Sequence, residues 1–149
     1  MPADRFFVDT NVLIYIFDKH NAKKRSRANE WLDFLWQSGA GRLSWQVLHE
    51  FYVNAVRKAG VETKRARDVI ELLICWQPVD TSAMLIHRAW FWMDQAGISY
   101  WDGLIVGAAE QLGCRWLLSE DFQTGRTYGA TTIVNPFATS PAGPIGHPT

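Results

Sequence analysis

Short apolar runs alternate along this chain with longer stretches in which apolar residues recur at helical spacing. Phe6-Phe7-Val8 is an unbroken run, suited to a strand covered on both faces. Asp9-Thr10-Asn11 interrupts it, and Val12-Leu13-Ile14 resumes at once as a helix, with Thr10 or Asn11 as its cap. His20 to Lys24 reads as a break. A second helix is expected from about Ser26 to Gln37, carried by Ala28, Trp31, Leu32, Leu35 and Trp36, and ended by Gly39 to Gly41. Arg42-Leu43-Ser44 reads as a short strand. A third helix follows from about Gln46 to Lys58, with Val47, Leu48, Phe51, Tyr52 and Ala55 on one face, and a fourth from Thr63 to Trp76. Gln77-Pro78-Val79 suits an edge strand, where proline is tolerated. Thr81 or Ser82 opens a fifth helix through Gln95, with Gly97 as its stop. Ser99 opens a sixth, Tyr100 to Leu112, stopped by Gly113. Cys114 to Ser119 and Thr131 to Val134 are the remaining strands.

Strands that alternate with helices predict an α/β fold, a largely parallel sheet with helices on both faces. At 149 residues the chain reads as one domain, 1–137. Pro136, Pro141, Pro144 and Pro148, interspersed with glycines, predict a disordered tail over 138–149.

Charge and composition narrow the function. Fifteen basic and fifteen acidic residues cancel, which argues against a protein that coats nucleic acid by bulk charge but leaves room for a local basic patch. Lys23, Lys24, Arg25 and Arg27 form one basic run and Lys64, Arg65 and Arg67 another; each reads as a solvated face or as a contact for phosphates. Cys75 and Cys114 lie in apolar runs and read as buried thiols, with no Cys/His spacing that suggests zinc. The paucity of cysteine, the acid and base early in the N-terminal segment and the lack of a span-length apolar run suggest a cytoplasmic setting. The eight tryptophans suit a core, with any surplus at the surface available to a protein partner.

The chemistry lies in the acids. In open α/β sheets ligands sit at the carboxyl ends of the strands. Asp9 follows the first strand, and Glu120 and Asp121 follow the Cys114–Ser119 strand, so both clusters fall on that edge. Asp9 reads equally as a helix-start acid satisfied by free N–H groups. Asp102 fits a capping box with Ser99, yet Gly103, Gly107, Ala108 and Ala109 behind it would let its helix lie close to the sheet and bring its start to the same edge. Glu50 falls away from the apolar stripe of its helix, and periodicity makes it a solvated charge. His20, His49 and His87 have no partner in the sequence and read as structural.

The blocks Phe7-Val8-Asp9-Thr10-Asn11-Val12-Leu13, Ser44-Trp45-Gln46-Val47-Leu48-His49-Glu50-Phe51, Ser99-Tyr100-Trp101-Asp102-Gly103-Leu104-Ile105 and Gly113-Cys114-Arg115-Trp116-Leu117-Leu118-Ser119-Glu120-Asp121-Phe122, in this order, resemble the PIN-domain ribonucleases, and among them the VapC-type toxins of bacterial toxin–antitoxin pairs. Thr132-Ile133-Val134-Asn135-Pro136-Phe137 resembles that family's last strand, so the likeness spans about Phe6 to Phe137. It implies a three-layer α/β/α sandwich. It also implies that Asp9, Glu50, Asp102 and Asp121 form an acidic quartet supported by Thr10, Asn11 and Ser119. Glu120 competes with Asp121 for the fourth place, and the family's hydroxyl-any-Asp pattern favours Asp121.

Carboxylates clustered without cations repel one another and are stable together around a divalent ion, and oxygen-only ligands suit Mg²⁺ or Mn²⁺. On this reading Asp9 and Asp102 are direct ligands, and Glu50 and Asp121 hold metal-bound waters or a second ion. The expected reaction is metal-dependent hydrolysis of an RNA phosphodiester, with Arg126 and Tyr128 as RNA contacts. The likeness further implies a small antitoxin protein that covers the site, and a homodimer. Three alternatives stand beside it. A PIN-fold nuclease of RNA maturation would keep the chemistry without toxicity. A non-catalytic binding module would have lost an acid, and none of the four positions is lost. A haloacid-dehalogenase-type phosphatase wants a second Asp where Asn11 stands.

Overall fold

The computed structural model describes residues 3–143. The described elements are β1 (Phe6–Val8), α1 (Thr10–Tyr15), α2 (Ala22–Ser38), β2 (Gly41–Arg42), α3 (Trp45–Arg57), α4 (Thr63–Ile74), α5 (Ala83–Ala96), α6 (Tyr100–Gln111), β3 (Trp116–Leu118), β4 (Thr127–Tyr128) and β5 (Thr131–Val134). They form the expected three-layer α/β/α sandwich, with strand order β2-β1-β3-β5-β4. β1 pairs in parallel with β2 and β3, β3 pairs in parallel with β5, and only β4 runs antiparallel. β1 and β3 are the central strands, which explains their unbroken apolar runs: Phe6, Phe7, Val8, Leu117 and Leu118 are all buried. Parallel pairing also places Asp9 and Ser119 side by side just beyond the strand ends, and the backbone N–H of Asp9 donates to Leu118 O at 3.1 Å.

Several boundaries differ from the expectation for local reasons. Asn21 caps α2, its side chain accepting from Lys24 N, so the basic run Lys23–Arg27 is helical surface and not a break. The cap of α1 is Asp9, not Thr10 or Asn11. The strand expected at Gln77–Val79 reduces to one bridge between Val79 and Ser44, because Gln77 has φ +55°, outside any strand geometry. β4 was not expected. It returns through Gly129 (φ +62°) and Ala130 to pair with β5. Cys75 is exposed, not buried; Cys114 is buried, and burial pushes its thiol up to about 12.

The tail is corrected at its start. Pro141 is buried, and the buried Trp31 indole donates to both Pro136 O and Thr139 O at 2.9 Å, so 138–143 packs onto the domain. Residues 144–149 lie outside the described residues. Among the described residues no helix is long and apolar enough to cross a membrane.

Gly103 and Gly107 of α6 have a purpose different from the one expected. A Cβ on Gly103 would lie 2.8 Å from Ala89 O, and one on Gly107 would lie 2.9 Å from Leu85 Cδ1. The glycines therefore let α6 approach α5 rather than the sheet. Ser99 caps α6 by accepting from Asp102 N at 3.1 Å, which fixes where the helix begins.

Candidate functional site

A cleft of about 440 Å³ opens at the carboxyl edge of the sheet. Asp9, Glu50, Asp102, Glu120 and Asp121 all line it, with Thr10 and Asn11. They arrive from four places in the chain: the β1–α1 junction, the second turn of α3, the first turn of α6 and the loop after β3. Ser119, fully buried, lies behind them.

Asn11 ties the first and last of these segments together. Its side-chain amide donates to Asp9 Oδ2 at 3.2 Å, Ser119 Oγ at 3.0 Å and Asp121 Oδ2 at 3.1 Å. Its carbonyl oxygen accepts from Glu120 N at 3.2 Å. Ser119 Oγ donates to Asp9 Oδ2 at 2.8 Å and accepts from Asp121 N at 3.1 Å. Asp9 Oδ1 accepts from Thr10 N at 2.7 Å. Asp9 is thus both a helix-start acid and a member of the cluster; the two roles are not exclusive.

Glu50 departs from its helical-wheel reading. It is half-buried, and its carboxylate accepts from Thr10 Oγ1 at 2.8 Å and from Gln46 Nε2 at 3.0 Å. Gln46 also donates to Trp101 O at 3.3 Å, so one amide connects α3 to the start of α6. A wheel places Glu50 relative to its own helix only; α1 and α6 decide that the flank it occupies is a cleft wall.

Desolvation dominates the electrostatics. Burial, reinforced by the charges of Asp121 and Glu50, raises Asp9 from 3.8 to about 6, against lowering hydrogen bonds from Ser119 and Thr10. Asp102 is raised as well, first by burial and then by Asp121 and Glu50, while a hydrogen bond with Ser99 pulls it back. Among the described residues none of Asp9, Glu50, Asp102 and Asp121 forms an ion pair. Glu120 differs: Lys24 Nζ sits 2.7 Å from its carboxylate and also meets Tyr15 OH at 3.2 Å. The charge of Glu120 is therefore neutralised locally, while the other four carboxylates line the cleft without an ion-pair partner among the described residues.

That donor set fits a hard divalent cation: the side chains offer oxygen, their charges lack ion-pair partners among the described residues, and desolvation penalises the charged forms of Asp9 and Asp102. Among the described residues no three acidic, histidine or cysteine side chains already converge as a common ligand set. The Asn11 amide, donating to both Asp9 and Asp121, links two of the candidates.

Two expected contacts are corrected. Tyr128 is 1% exposed, packed edge-on against Trp92 and Phe122, and offers no ring face to a base. Arg126 donates to Ala96 O at 3.0 Å and stacks on Tyr128; neither residue lines the cleft. The basic runs are also largely engaged locally. Arg27 pairs with Glu30 and Lys64 with Asp68, Arg65 lies over Phe17, and Arg67 meets Tyr52. The sequence reading missed Gln46, Asn54, Lys58 and Trp101 as cleft-lining residues. For Gln46 a signal existed, four residues before Glu50 on the same helix face. The same spacing continues through Asn54 and Lys58, four and eight residues after Glu50, whereas Trp101 carried no such signal.

A family model of the PIN domain matches residues 6–129. No curated protein matches. The crystal structure of Mycobacterium tuberculosis VapC20, a sarcin-ricin loop cleaving toxin, is similar over 75% of this chain and 86% of that one, at 20% identity and TM-score 0.57. Rickettsia felis VapBC2, bound to a DNA fragment from their promoter, is similar over 87% of this chain and 97% of that one, at 16% identity and TM-score 0.58. At these identities the likeness is one of fold.

Proposed function

Because the chain belongs to the PIN-domain family, we propose that it is a metal-dependent endoribonuclease that hydrolyses RNA phosphodiesters, and that it is the toxin of a VapC-type toxin–antitoxin pair. The observation that carries the reading is the gathering of Asp9, Glu50, Asp102 and Asp121, from four separated segments, into one cleft in which none of them forms an ion pair among the described residues.

Asp9 and Asp102 are the proposed direct ligands of Mg²⁺ or Mn²⁺, with Glu50 and Asp121 completing the set through water or a second ion. When bound, the ion supplies charge for the phosphate in the transition state and a more acidic water as nucleophile. The chain's own groups do the positioning. Ser119 and Thr10 N–H fix the Asp9 carboxylate from behind. Thr10 and Gln46 hold both oxygens of Glu50. Asn11 sets the distance between Asp9 and Asp121. Lys58 lines the cleft, is exposed and forms no ion pair among the described residues, which suits a phosphate contact. Lys24, by contrast, holds Glu120 and so keeps that acid out of the quartet. The same proposal includes a small antitoxin that covers the cleft, supported by the fold likeness to a VapBC complex, and a homodimer in a cytoplasmic setting.

The test is cleavage of a panel of structured RNAs by the purified chain, free of any antitoxin, with Mg²⁺, Mn²⁺ or EDTA, beside Asp9→Asn and Asp102→Asn. Cutting should need the metal and disappear in both variants. Cutting that persists in EDTA, or in either variant, would overturn the assignment.

A further inference from the structure

The cleft contains two aromatic side chains, Tyr15 and Trp101, and they are in opposite situations. Tyr15 is half-buried. Its hydroxyl meets Lys24 Nζ, its ring packs edge-on against Phe137 at 4.8 Å, and Lys24 lies over its face. Trp101 is 63% exposed and, among the described residues, meets the ring of Tyr100 at an angle of 63°. An indole left this exposed at the first turn of a helix is costly to keep in water. Its backbone is firmly placed: it precedes Asp102, and its carbonyl accepts from the Gln46 amide that also holds Glu50. Trp101 also lines a second open cleft, which runs past Trp45, His49, Asp80 and Thr81, so the residue lies between the two. The other well-exposed tryptophans, Trp36 and Trp90, line neither cleft.

We propose that Trp101 is a base-stacking platform, on which one unpaired RNA base adjacent to the cleaved phosphodiester lies against the indole while its phosphate reaches the acids. The proposal rests on the RNA chemistry proposed above. It names the residue that selects for unpaired substrate: a base held in a duplex has both faces covered and cannot stack on a protein ring, whereas an unpaired one can. The Gln46 bridge gives the platform a fixed relation to Glu50 and Asp102. Its place between the two clefts also gives the strand a route, its reacting phosphate in the acid cleft and the neighbouring nucleotide over the second cleft. Trp101 touches a base and not the reacting atoms; it is a positioning residue.

The test takes an RNA that the wild type cuts with Mg²⁺ or Mn²⁺, maps the cut, and prepares short single-stranded oligonucleotides across it, each with one abasic ribose. Trp101→Ala should lower kcat/KM about 10- to 100-fold, the range a single base–aromatic stack provides, and Trp101→Phe should restore most of it. One abasic position should cost the wild type a similar factor and cost Trp101→Ala nothing further. The urea midpoint of Trp101→Ala should match the wild type, since the ring is largely exposed. Full activity of Trp101→Ala, or equal losses from every abasic position in both proteins, would overturn the platform while leaving the nuclease intact. A wild type that cuts no RNA would instead remove the nuclease reading, and the platform with it.

Discussion

Asp9→Asn should make the metal-free chain more stable near neutral pH while abolishing its chemistry. Asp9 is 7% exposed, and its carboxyl is raised from 3.8 to about 6. The folded chain therefore holds this proton more tightly than the unfolded chain does. Stability is greatest below the unfolded value, falls as pH rises between the two values, and is level above about 7. At about 1.4 kcal/mol per pKa unit, the ionised carboxylate costs the fold about 3 kcal/mol at pH 7.5. Asparagine removes that cost with nearly the same shape. It returns part of the gain, because its NH₂ would face the Asn11 amide where Asp9 Oδ2 now accepts, a loss of about 1–2 kcal/mol. The expected net gain is about 1–2 kcal/mol at pH 7.5, narrowing or reversing by about 2 kcal/mol at pH 4.5, where the wild-type carboxyl is protonated. Urea unfolding in EDTA, followed by tryptophan fluorescence at both pH values, measures it. Mg²⁺ should then stabilise the wild type, by about 1.4 kcal/mol at ten times its Kd, and not the variant. A variant less stable than wild type at pH 7.5, with a gap that does not move with pH, would refute the reasoning: Asp9 would be a satisfied helix cap and not a strained ligand.

Two further substitutions separate the remaining roles. Asp121→Asn should lower RNA cutting at least about 100-fold, whereas Glu120→Gln should leave it within a few-fold and change stability by about 1 kcal/mol, as expected for a partly exposed ion pair with Lys24; the reverse order of effects in the cleavage assay would exchange their roles. Gly103→Ala places a methyl 2.8 Å from Ala89 O, and overpacking of about 1–3 kcal/mol should exceed the helix-propensity gain of about 1 kcal/mol. A lower urea midpoint with reduced cutting is expected, because the shifted helix start carries Asp102; an unchanged midpoint would show that α5 can yield.

The sequence by itself determined the strand–helix alternation, and with it the three-layer architecture. It did so because central parallel strands must be apolar on both faces, and Phe6–Val8 and Trp116–Leu118 are nearly so. It also placed Asp9 and the Glu120-Asp121 pair at one edge, since an acid at the end of a buried strand has nowhere else to go. Local capping made α6 legible from Ser99, and Gly97 made the end of α5 legible. What it could not determine was any property set by a neighbouring element. Glu50 is solvated on its own helix and half-buried only because α1 brings Thr10 to it. Glu120 and Asp121 are adjacent acids in the chain, and only the approach of Lys24 from α2 distinguishes them. Tyr128 reads as a surface aromatic until Trp92 and Phe122 enclose it, whereas Trp101, between Tyr100 and Asp102, is left largely exposed. Local backbone preference and periodicity act within a few residues, while desolvation and charge compensation depend on groups distant in sequence, so the elements were readable from the chain and the cleft's electrostatics came from tertiary contact.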